Sequence, residues 1–272
     1  MTLDNKTIER LKTTYGSWVL ITGATSGIGK ELSICLGKSG FNLVIIGRRK
    51  SVLDDLKANI LVQYNNEVIV VAGDLTKSDD LENLISITQS IPIGILILNA
   101  GYGTSGKFIH NDIGQELNLL QLNCESVIKL THVFANRMKN DNRRGAIVLL
   151  SSIVGFQGAP YAANYAASKA YVQSFGEAIA KELKDDDIDV LCAAPGPVKS
   201  GFEKRANMKM GNALKPEKVI LPIIKSIGIR SKVFPGLLTK FLYYNLSLLP
   251  RWARVLVMGN IMKSFTKHQK HI

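Results

Sequence analysis

Six short runs of apolar residues, each followed by a stretch with helical spacing, constrain the fold of this chain more than any other feature. The runs are rich in Val, Ile and Leu and do not alternate with polar residues; they cover residues 18–22, 42–46, 68–72, 93–98, 146–150 and 188–192. Such strands are buried on both faces, which is typical of a parallel sheet between two helical layers. The helical stretches include residues 29–38, 52–62, 115–139 and 161–183. This alternation predicts an α/β fold, a Rossmann-type doubly wound parallel sheet with helices on both faces.

The length and uniformity of the chain favour one domain. The 272 residues contain no repeat, no low-complexity tract and no obvious linker, so we predict a single domain over 1–272. The alternation of strands and helices stops after Pro195, and we expect the residues beyond it to be additions to the fold. We therefore divide the chain into a core (1–200), a covering segment (201–232) and a basic, apolar helical tail (233–272).

The cysteines and the first residues indicate a reducing compartment. Three scattered cysteines, Cys35, Cys124 and Cys192, are too few for a disulfide framework or a zinc site. The four histidines show no ligand spacing, so we expect no metal. The polar N-terminal residues lack the apolar stretch of a secretory signal. We expect a cytoplasmic protein.

A glycine-rich turn comes after the first apolar run. Its sequence from Thr22 to Gly29 is TGATSGIG, and a helical stretch comes directly after it. Glycines at such a turn let backbone N–H groups approach a pyrophosphate at the start of a helix. A turn without a ligand is the alternative, but its place between the first strand and a helix favours nucleotide binding.

Two arginines at the end of the second apolar run point to the form of the nucleotide. Arg48 and Arg49 lie where NAD-binding folds carry an acid for the ribose 2′-hydroxyl, and no acid occurs between Phe41 and Leu53. A guanidinium can grip a phosphate with two hydrogen bonds. This pattern favours NADP over NAD, although a solvated basic strand end would look the same.

A tyrosine and a lysine four residues apart carry the most specific signal. Tyr165 and Lys169 would share one face of a helix. A nearby ammonium favours phenolate, so we expect Lys169 to lower the Tyr165 pKa from ~10 toward ~7. Ser152 lies 13 residues before Tyr165, just past the fifth apolar run, where its hydroxyl could bind the same substrate oxygen.

In these motifs and their order the sequence resembles the short-chain dehydrogenase/reductase family, in its single-domain branch, over about residues 16–200. The start at Tyr15 weakly resembles the ketoacyl reductase and hydroxysteroid dehydrogenase subgroup. The resemblance implies catalytic roles for Asn123, Ser152, Tyr165 and Lys169. It also implies cofactor contacts from the glycine turn, the strand ends and the Pro-Gly segment, namely Thr22, Gly23, Thr25, Ser26, Gly27, Ile28, Gly29, Arg48, Arg49, Asp74, Leu75, Asn99, Ala100, Gly101, Tyr165, Lys169, Pro195, Gly196, Val198 and Ser200.

The resemblance further implies hydride transfer between nicotinamide and a carbonyl or alcohol carbon. Tyr165 would donate the proton, Lys169 would lower its pKa and bind the nicotinamide ribose, Ser152 would polarise the carbonyl, and Asn123 would support a proton-relay water. Phe202 and Met208 favour a hydrophobic, acyl, lipid or steroid-like substrate, and Lys204, Arg205 and Lys209 suit an anionic group on it. A mobile surface loop with ordinary charges is the alternative for this segment. The alternative function is a non-catalytic NADP sensor or a membrane-associated scaffold on the same fold.

The charge of the chain is concentrated in its last quarter. The net charge is +12, and residues 201–272 hold 14 Lys and Arg against only Glu203 and Glu217. Pro250 divides the apolar residues of the tail into two helices of about 12 residues, too short to span a bilayer. The tail would dock at a membrane surface or pack on the protein's own core or a second subunit.

We expect a homo-oligomer. We expect no nucleic-acid partner, since no recognised nucleic-acid module accompanies the charge.

Overall fold

The sheet has seven parallel strands in the order β3-β2-β1-β4-β5-β6-β7. The computed structural model describes residues 3–61, 66–211 and 213–269. The strands are β1 (Trp18–Thr22), β2 (Asn42–Gly47), β3 (Val68–Ala72), β4 (Ile93–Leu98), β5 (Gly145–Leu150), β6 (Ile188–Ala193) and β7 (Lys232–Val233). All six predicted strands are present within one residue at each end. The doubly wound parallel α/β fold is confirmed.

Helices cover both faces of this sheet. They are α1 (Asn5–Tyr15), α2 (Gly27–Gly37), α3 (Lys50–Leu61), α4 (Ser78–Ile87), α5 (Ile113–Leu120), α6 (Ser126–Asn140), α7 (Ala163–Glu182), α8 (Phe202–Arg205), α9 (Glu217–Ser226), α10 (Leu237–Ser247) and α11 (Arg251–Thr266). Side chains alternate across each strand, so Val19 and Ile21 of β1 pack in one buried cluster and Leu20 in the other. Helices α1, α2, α3 and α9 share the first cluster; α4, α6 and α7 share the second.

The expectation that the strand–helix alternation ends after Pro195 is wrong. Helix α9 buries Val219, Ile220, Ile223 and Ile224 in the same cluster as α2, and β7 extends the sheet beside β6. The sequence pattern did not reveal α9 and β7, because β7 has only two residues and charged residues surround the apolar face of α9. Sequence periodicity needs a longer window than either element offers.

Two predicted helices differ in their details. The stretch predicted as one helix over 115–139 is α5 and α6 joined by a π-helical turn, Gln121–Glu125. The predicted helix over 52–62 corresponds to α3, and its last residue, Val62, lies outside the described residues. So do Asn212 of the covering segment and residues 270–272 of the tail.

The tail forms two helices, as predicted. Pro250 separates α10 from α11 because it lacks the backbone N–H that a continuous helix needs. Among the described residues, no helix is long and apolar enough to cross a membrane.

The strand order creates a crevice at one edge of the sheet. The chain winds outward from β1 through β2 to β3, then returns to the other side of β1 with β4. Ligands of open α/β sheets bind outside the carboxyl ends of the strands at such a reversal. Thr22 ends β1 and Asn99 comes directly after β4 at this point.

Candidate active site

A cavity of about 540 Å³ opens at the reversal between β1 and β4. Residues at or shortly after the ends of β1 to β6 line one side of it. Residues of the covering segment and of both tail helices line it from the other side. The cavity therefore joins the motifs of the core to the covering segment and the tail.

The glycine turn adopts a backbone that glycine favours and lies tightly against the residues after β4. Gly23 and Gly27 have φ angles of +71° and +57°, which side-chain-bearing residues rarely adopt. A Cβ on Gly23 would lie 2.8 Å from the Ala100 Cα. The turn leads into α2, whose N-cap Ser26 makes no side-chain capping hydrogen bond. The N–H groups of the first turn of α2 are thus available to an anion such as a pyrophosphate.

Thr22 and Asn99 hold the glycine turn against β4. The Asn99 side chain donates hydrogen bonds to the backbone oxygens of Thr22 (2.9 Å) and Gly23 (3.3 Å). The Thr22 hydroxyl accepts from the backbone N–H groups of Asn99 and Ala100, both at 3.0 Å. Thr22 is buried and lies outside the cavity wall, so its hydroxyl orients the turn from behind.

One end of the cavity is rich in positive charge. Arg48 lies 3.7 Å from Asp74, and Arg49 donates a hydrogen bond to the backbone oxygen of Thr25 at 3.0 Å. Thr76 holds Asp74 through its hydroxyl and its N–H. Asp74 is the only acid among the described residues that line the cavity, whereas Arg48, Arg49, Lys204 and Arg205 are cationic, in addition to Lys169 beside Tyr165. This end of the cavity suits an anionic group.

Tyr165, Lys169 and Ser152 converge at the opposite end. Tyr165 and Lys169 lie one turn apart on α7, and the lysine Nζ is 6.0 Å from the centre of the tyrosine ring. Lys169 donates a hydrogen bond to the backbone oxygen of Leu150 at 2.8 Å. Ser152 accepts a hydrogen bond from the N–H of Val154 at 3.4 Å, and it also bonds to Tyr165.

The expected lowering of the Tyr165 pKa is not what this geometry produces. Burial raises the Tyr165 pKa to about 12, and the hydrogen bond with Ser152 only partly opposes that rise. Burial lowers the Lys169 pKa to about 8, because a charged ammonium is costly away from water. The tyrosine therefore keeps its proton at neutral pH, as a proton donor must.

Asn123 acts through its side chain on a neighbouring loop. It lies in the π-helical turn, accepts a hydrogen bond from the N–H of Tyr102 (3.1 Å) and donates to the Tyr102 oxygen (3.0 Å) and the Ser168 hydroxyl (3.0 Å). The amide thus fixes the loop after β4 against α7. Asn123 lies outside the cavity wall, and its role in a proton relay stays a prediction.

Most predicted site residues line the cavity. The exceptions are Thr22, Gly29 and Asn123, which lie behind the wall, and Lys209, which is not among the residues that line the cavity. Packing of the tail on the protein's own core, one of the alternatives left open by the sequence, is what the structure shows on one side of the tail. The residues that line the cavity from there were not predicted as site residues, namely Leu242, Leu246, Met258, Ile261, Met262 and Phe265. Their spacing of three and four residues along each helix was the available signal, but it did not reveal which face would meet the core.

Comparisons with known proteins agree with this site. The short chain dehydrogenase family matches residues 17–211 of the chain. A very-long-chain 3-oxoacyl-CoA reductase of Neurospora crassa is 32% identical over 232 residues, which cover 82% of this chain and 69% of that protein. A 7beta-hydroxysteroid dehydrogenase of Clostridium sardiniense is 29% identical over 230 residues, which cover 83% of this chain and 88% of that one.

Solved structures show the same relationship. A structure from a study of 7beta-hydroxysteroid dehydrogenase stereoselectivity superimposes with a TM-score of 0.83 at 25% identity, covering 91% of this chain and 98% of that one. A short-chain dehydrogenase from Sphingobium yanoikuyae in complex with NADPH superimposes with a TM-score of 0.78 at 28% identity, covering 89% of this chain and 94% of that one. The predicted resemblance is confirmed. This chain belongs to the short chain dehydrogenase family of nicotinamide-dependent oxidoreductases.

Proposed function

We propose that this protein is an NADPH-dependent reductase of the carbonyl group of a hydrophobic acyl, lipid or steroid-like substrate. The observation that carries the proposal is one cavity with a cationic end at Arg48 and Arg49 and an apolar end beyond Tyr165. The phosphate of NADP suits the first end, and an apolar chain or ring system suits the second. The 3-oxoacyl-CoA reductase and the hydroxysteroid dehydrogenase among the relatives act on compounds of this kind by name.

The residues around Tyr165 are arranged to handle the proton of a carbonyl reduction. A bound nicotinamide supplies the hydride. Tyr165 donates its proton to the carbonyl oxygen, and its raised pKa keeps that proton in place until the oxygen becomes basic. Ser152, bonded to Tyr165, orients the same oxygen. Lys169, anchored on the backbone oxygen of Leu150, would hold the ribose of a bound nicotinamide cofactor.

The apolar end of the cavity supports the hydrophobic class of substrate. Leu246, Met258 and Met262 lie in one buried cluster with Ile153 and Val154, next to Tyr165. Three of these side chains come from the tail helices. Methionines adapt to irregular apolar shapes, so this wall suits a long acyl chain or a ring system.

The proposal is tested with a carbonyl substrate panel and purified full-length protein. Ketosteroids and 3-oxoacyl thioesters of increasing chain length are compared with small polar ketones and sugars, using NADPH and NADH in parallel. We expect turnover with NADPH that rises with the apolar size of the substrate. Tight NADPH binding without oxidation of NADPH by any substrate would favour the alternative function, an NADP sensor.

We also propose that the outer face of the tail docks on an anionic membrane surface. On α10 and just after it, Leu237, Phe241, Tyr244 and Leu248 recur on one face and are 61–85% exposed. Trp252 and Leu256 continue this outer face on α11, exposed by 69% and 61%. Residues 231–272 carry seven Lys and Arg and no acid. Exposed aromatic and leucine side chains beside basic residues favour an interfacial site on anionic lipid.

A homo-oligomer is a further part of the proposal. Helix α5 exposes Ile113 and Leu117, which are 63% and 56% exposed. They lie four residues apart on one face of the helix, and a second subunit would cover them. Sedimentation velocity of the purified protein distinguishes a monomer from a stable dimer or tetramer.

A further inference from the structure

The covering segment folds back onto the glycine turn. A Cβ on Gly27 would lie 2.6 Å from the Ser200 Cβ, which shows how closely the two backbones approach. Two residues further on, the Phe202 ring lies 5.1 Å from the Tyr165 ring, centre to centre. Helix α8 then carries Arg205 back over the turn, and its guanidinium donates a hydrogen bond to the Ser26 hydroxyl at 3.5 Å. One short segment thus spans the cavity from the proton donor to the start of α2.

Arg205 joins two other arginines at this place. Arg49 bonds to the backbone oxygen of Thr25, the neighbour of the Ser26 that Arg205 contacts. Partial burial lowers the Arg205 pKa, and the positive charges of Arg48 and Arg49 lower it further. Asp74 pairs with Arg48, and in the described part of the chain no carboxylate pairs with Arg49 or Arg205. Three guanidinium groups that repel one another around one opening are the arrangement that a multiply charged anion stabilises.

We propose that Arg205 is a third arginine for the 2′-phosphate of NADPH, supplied by the covering segment. The inference rests on the proposed cofactor. It adds a residue of the covering segment to the pair Arg48 and Arg49. A phosphate with two negative charges accepts hydrogen bonds from more than one guanidinium, because each of its oxygens has several lone pairs.

This contact would connect cofactor binding to the shape of the substrate end. Arg205 ends α8 and Phe202 begins it, so a phosphate that holds Arg205 also holds Phe202 against Tyr165. NADH lacks the 2′-phosphate and would leave the segment without that restraint. Helix α8 would then both select NADPH, through Arg205, and order the substrate end of the cavity, through Phe202.

The test measures cofactor dissociation constants by fluorescence titration of the full-length protein. The variants are Arg205→Gln, Arg205→Lys, Arg48→Gln and, as a control, Lys199→Gln, which removes one exposed charge near the segment but outside the cavity wall. We expect Arg205→Gln to weaken NADPH about 10-fold, the loss of one charge-assisted hydrogen bond, and to change NADH less than ~2-fold. Arg205→Lys should recover part of the loss, and Lys199→Gln should bind both cofactors like the wild type.

A second measurement monitors the segment itself without turnover. Hydrogen exchange of residues 200–208 should slow when adenosine 2′,5′-bisphosphate is added, and much less with adenosine 5′-monophosphate. Arg205→Gln should abolish the difference. Equal weakening of NADPH and NADH, or no weakening of either, would overturn the role of Arg205. If Arg48→Gln also left NADPH binding unchanged, the proposed cofactor itself would be wrong; if only Arg48→Gln weakened NADPH, the inference alone would fail.

Discussion

The ammonium of Lys169 lies 6.0 Å from the centre of the Tyr165 ring and is bonded to the backbone of Leu150. Strand β5, rather than the tyrosine hydroxyl, therefore anchors the lysine. The two side chains have separate tasks in the proposed reaction: Tyr165 holds a proton, and Lys169 holds a position at the end of β5. Their variants should accordingly fail in different ways.

Tyr165→Phe should abolish most of the reductase activity and leave cofactor binding intact. The variant removes the hydroxyl proton but keeps the ring that packs on Phe202. We expect kcat to fall by about 10²–10⁴-fold, the usual contribution of a general acid. Steady-state kinetics and an NADPH titration on the same preparation check both parts. A variant with near-normal kcat would contradict the assignment of Tyr165 as proton donor.

Lys169→Met should change how stability depends on pH. The Lys169 pKa is lowered to about 8 in the folded protein, below the ~10.4 of a free lysine. Between these values the unfolded chain binds a proton that the folded chain does not, so this group makes wild-type stability rise with pH from about 8 to about 10. The methionine variant lacks this rise.

Urea denaturation at pH 7, 8, 9 and 10 provides the measurement. The free energy of unfolding of the wild type, relative to Lys169→Met, should increase across this series. A constant difference between the two proteins would show that Lys169 keeps an ordinary pKa in the fold.

Gly29→Ala should destabilise the glycine turn. A Cβ at this position would overlap the Gly23 oxygen and the Asn99 amide nitrogen, and neither the turn nor β4 can retreat without breaking their mutual hydrogen bonds. We expect a loss of roughly 1–3 kcal/mol in the free energy of unfolding, typical of overpacking, together with weaker NADPH binding. Gly211→Ala is the matched control, because a Cβ there meets nothing within 4 Å. Thermal unfolding of both variants provides the measurement. Equal melting temperatures would contradict the close approach of Gly29 to the Gly23 oxygen and the Asn99 side chain.

Leu248→Ser combined with Trp252→Ser should weaken attachment to anionic vesicles. Both side chains are exposed on the outer face of the tail, and burial of each at an interface contributes about 1.5–3 kcal/mol. We expect at least ~10-fold less co-sedimentation, and weaker binding of the wild type at high salt. Ile109→Ser is the control, an exposed apolar residue outside the tail. Wild-type protein that stays in the supernatant with anionic vesicles at low salt would rule out docking.

Local sequence was sufficient for six of the seven strands, the glycine turn and the spacing of the Tyr165 and Lys169 pair. Buried parallel strands need continuous apolar runs, the turn needs glycines with positive φ, and Tyr165 and Lys169 share a helix face through their spacing alone. Each of these properties depends on neighbours within a few residues, so a pattern can show it. The order of the motifs along the chain then placed them at one edge of the sheet.

The tertiary structure decided what depends on distant parts of the chain. The Tyr165 pKa rises because tail helices and the covering segment bury it, which spacing along α7 could not show. Helix α9 and β7 belong to the core because α2 and β6 lie beside them. Arg205 meets Ser26 across 179 positions of sequence, and Leu246 and Met258 turn inward while Leu248 and Trp252 turn outward. Burial and charge proximity are properties of the folded chain, since they arise only when residues far apart in sequence share one volume.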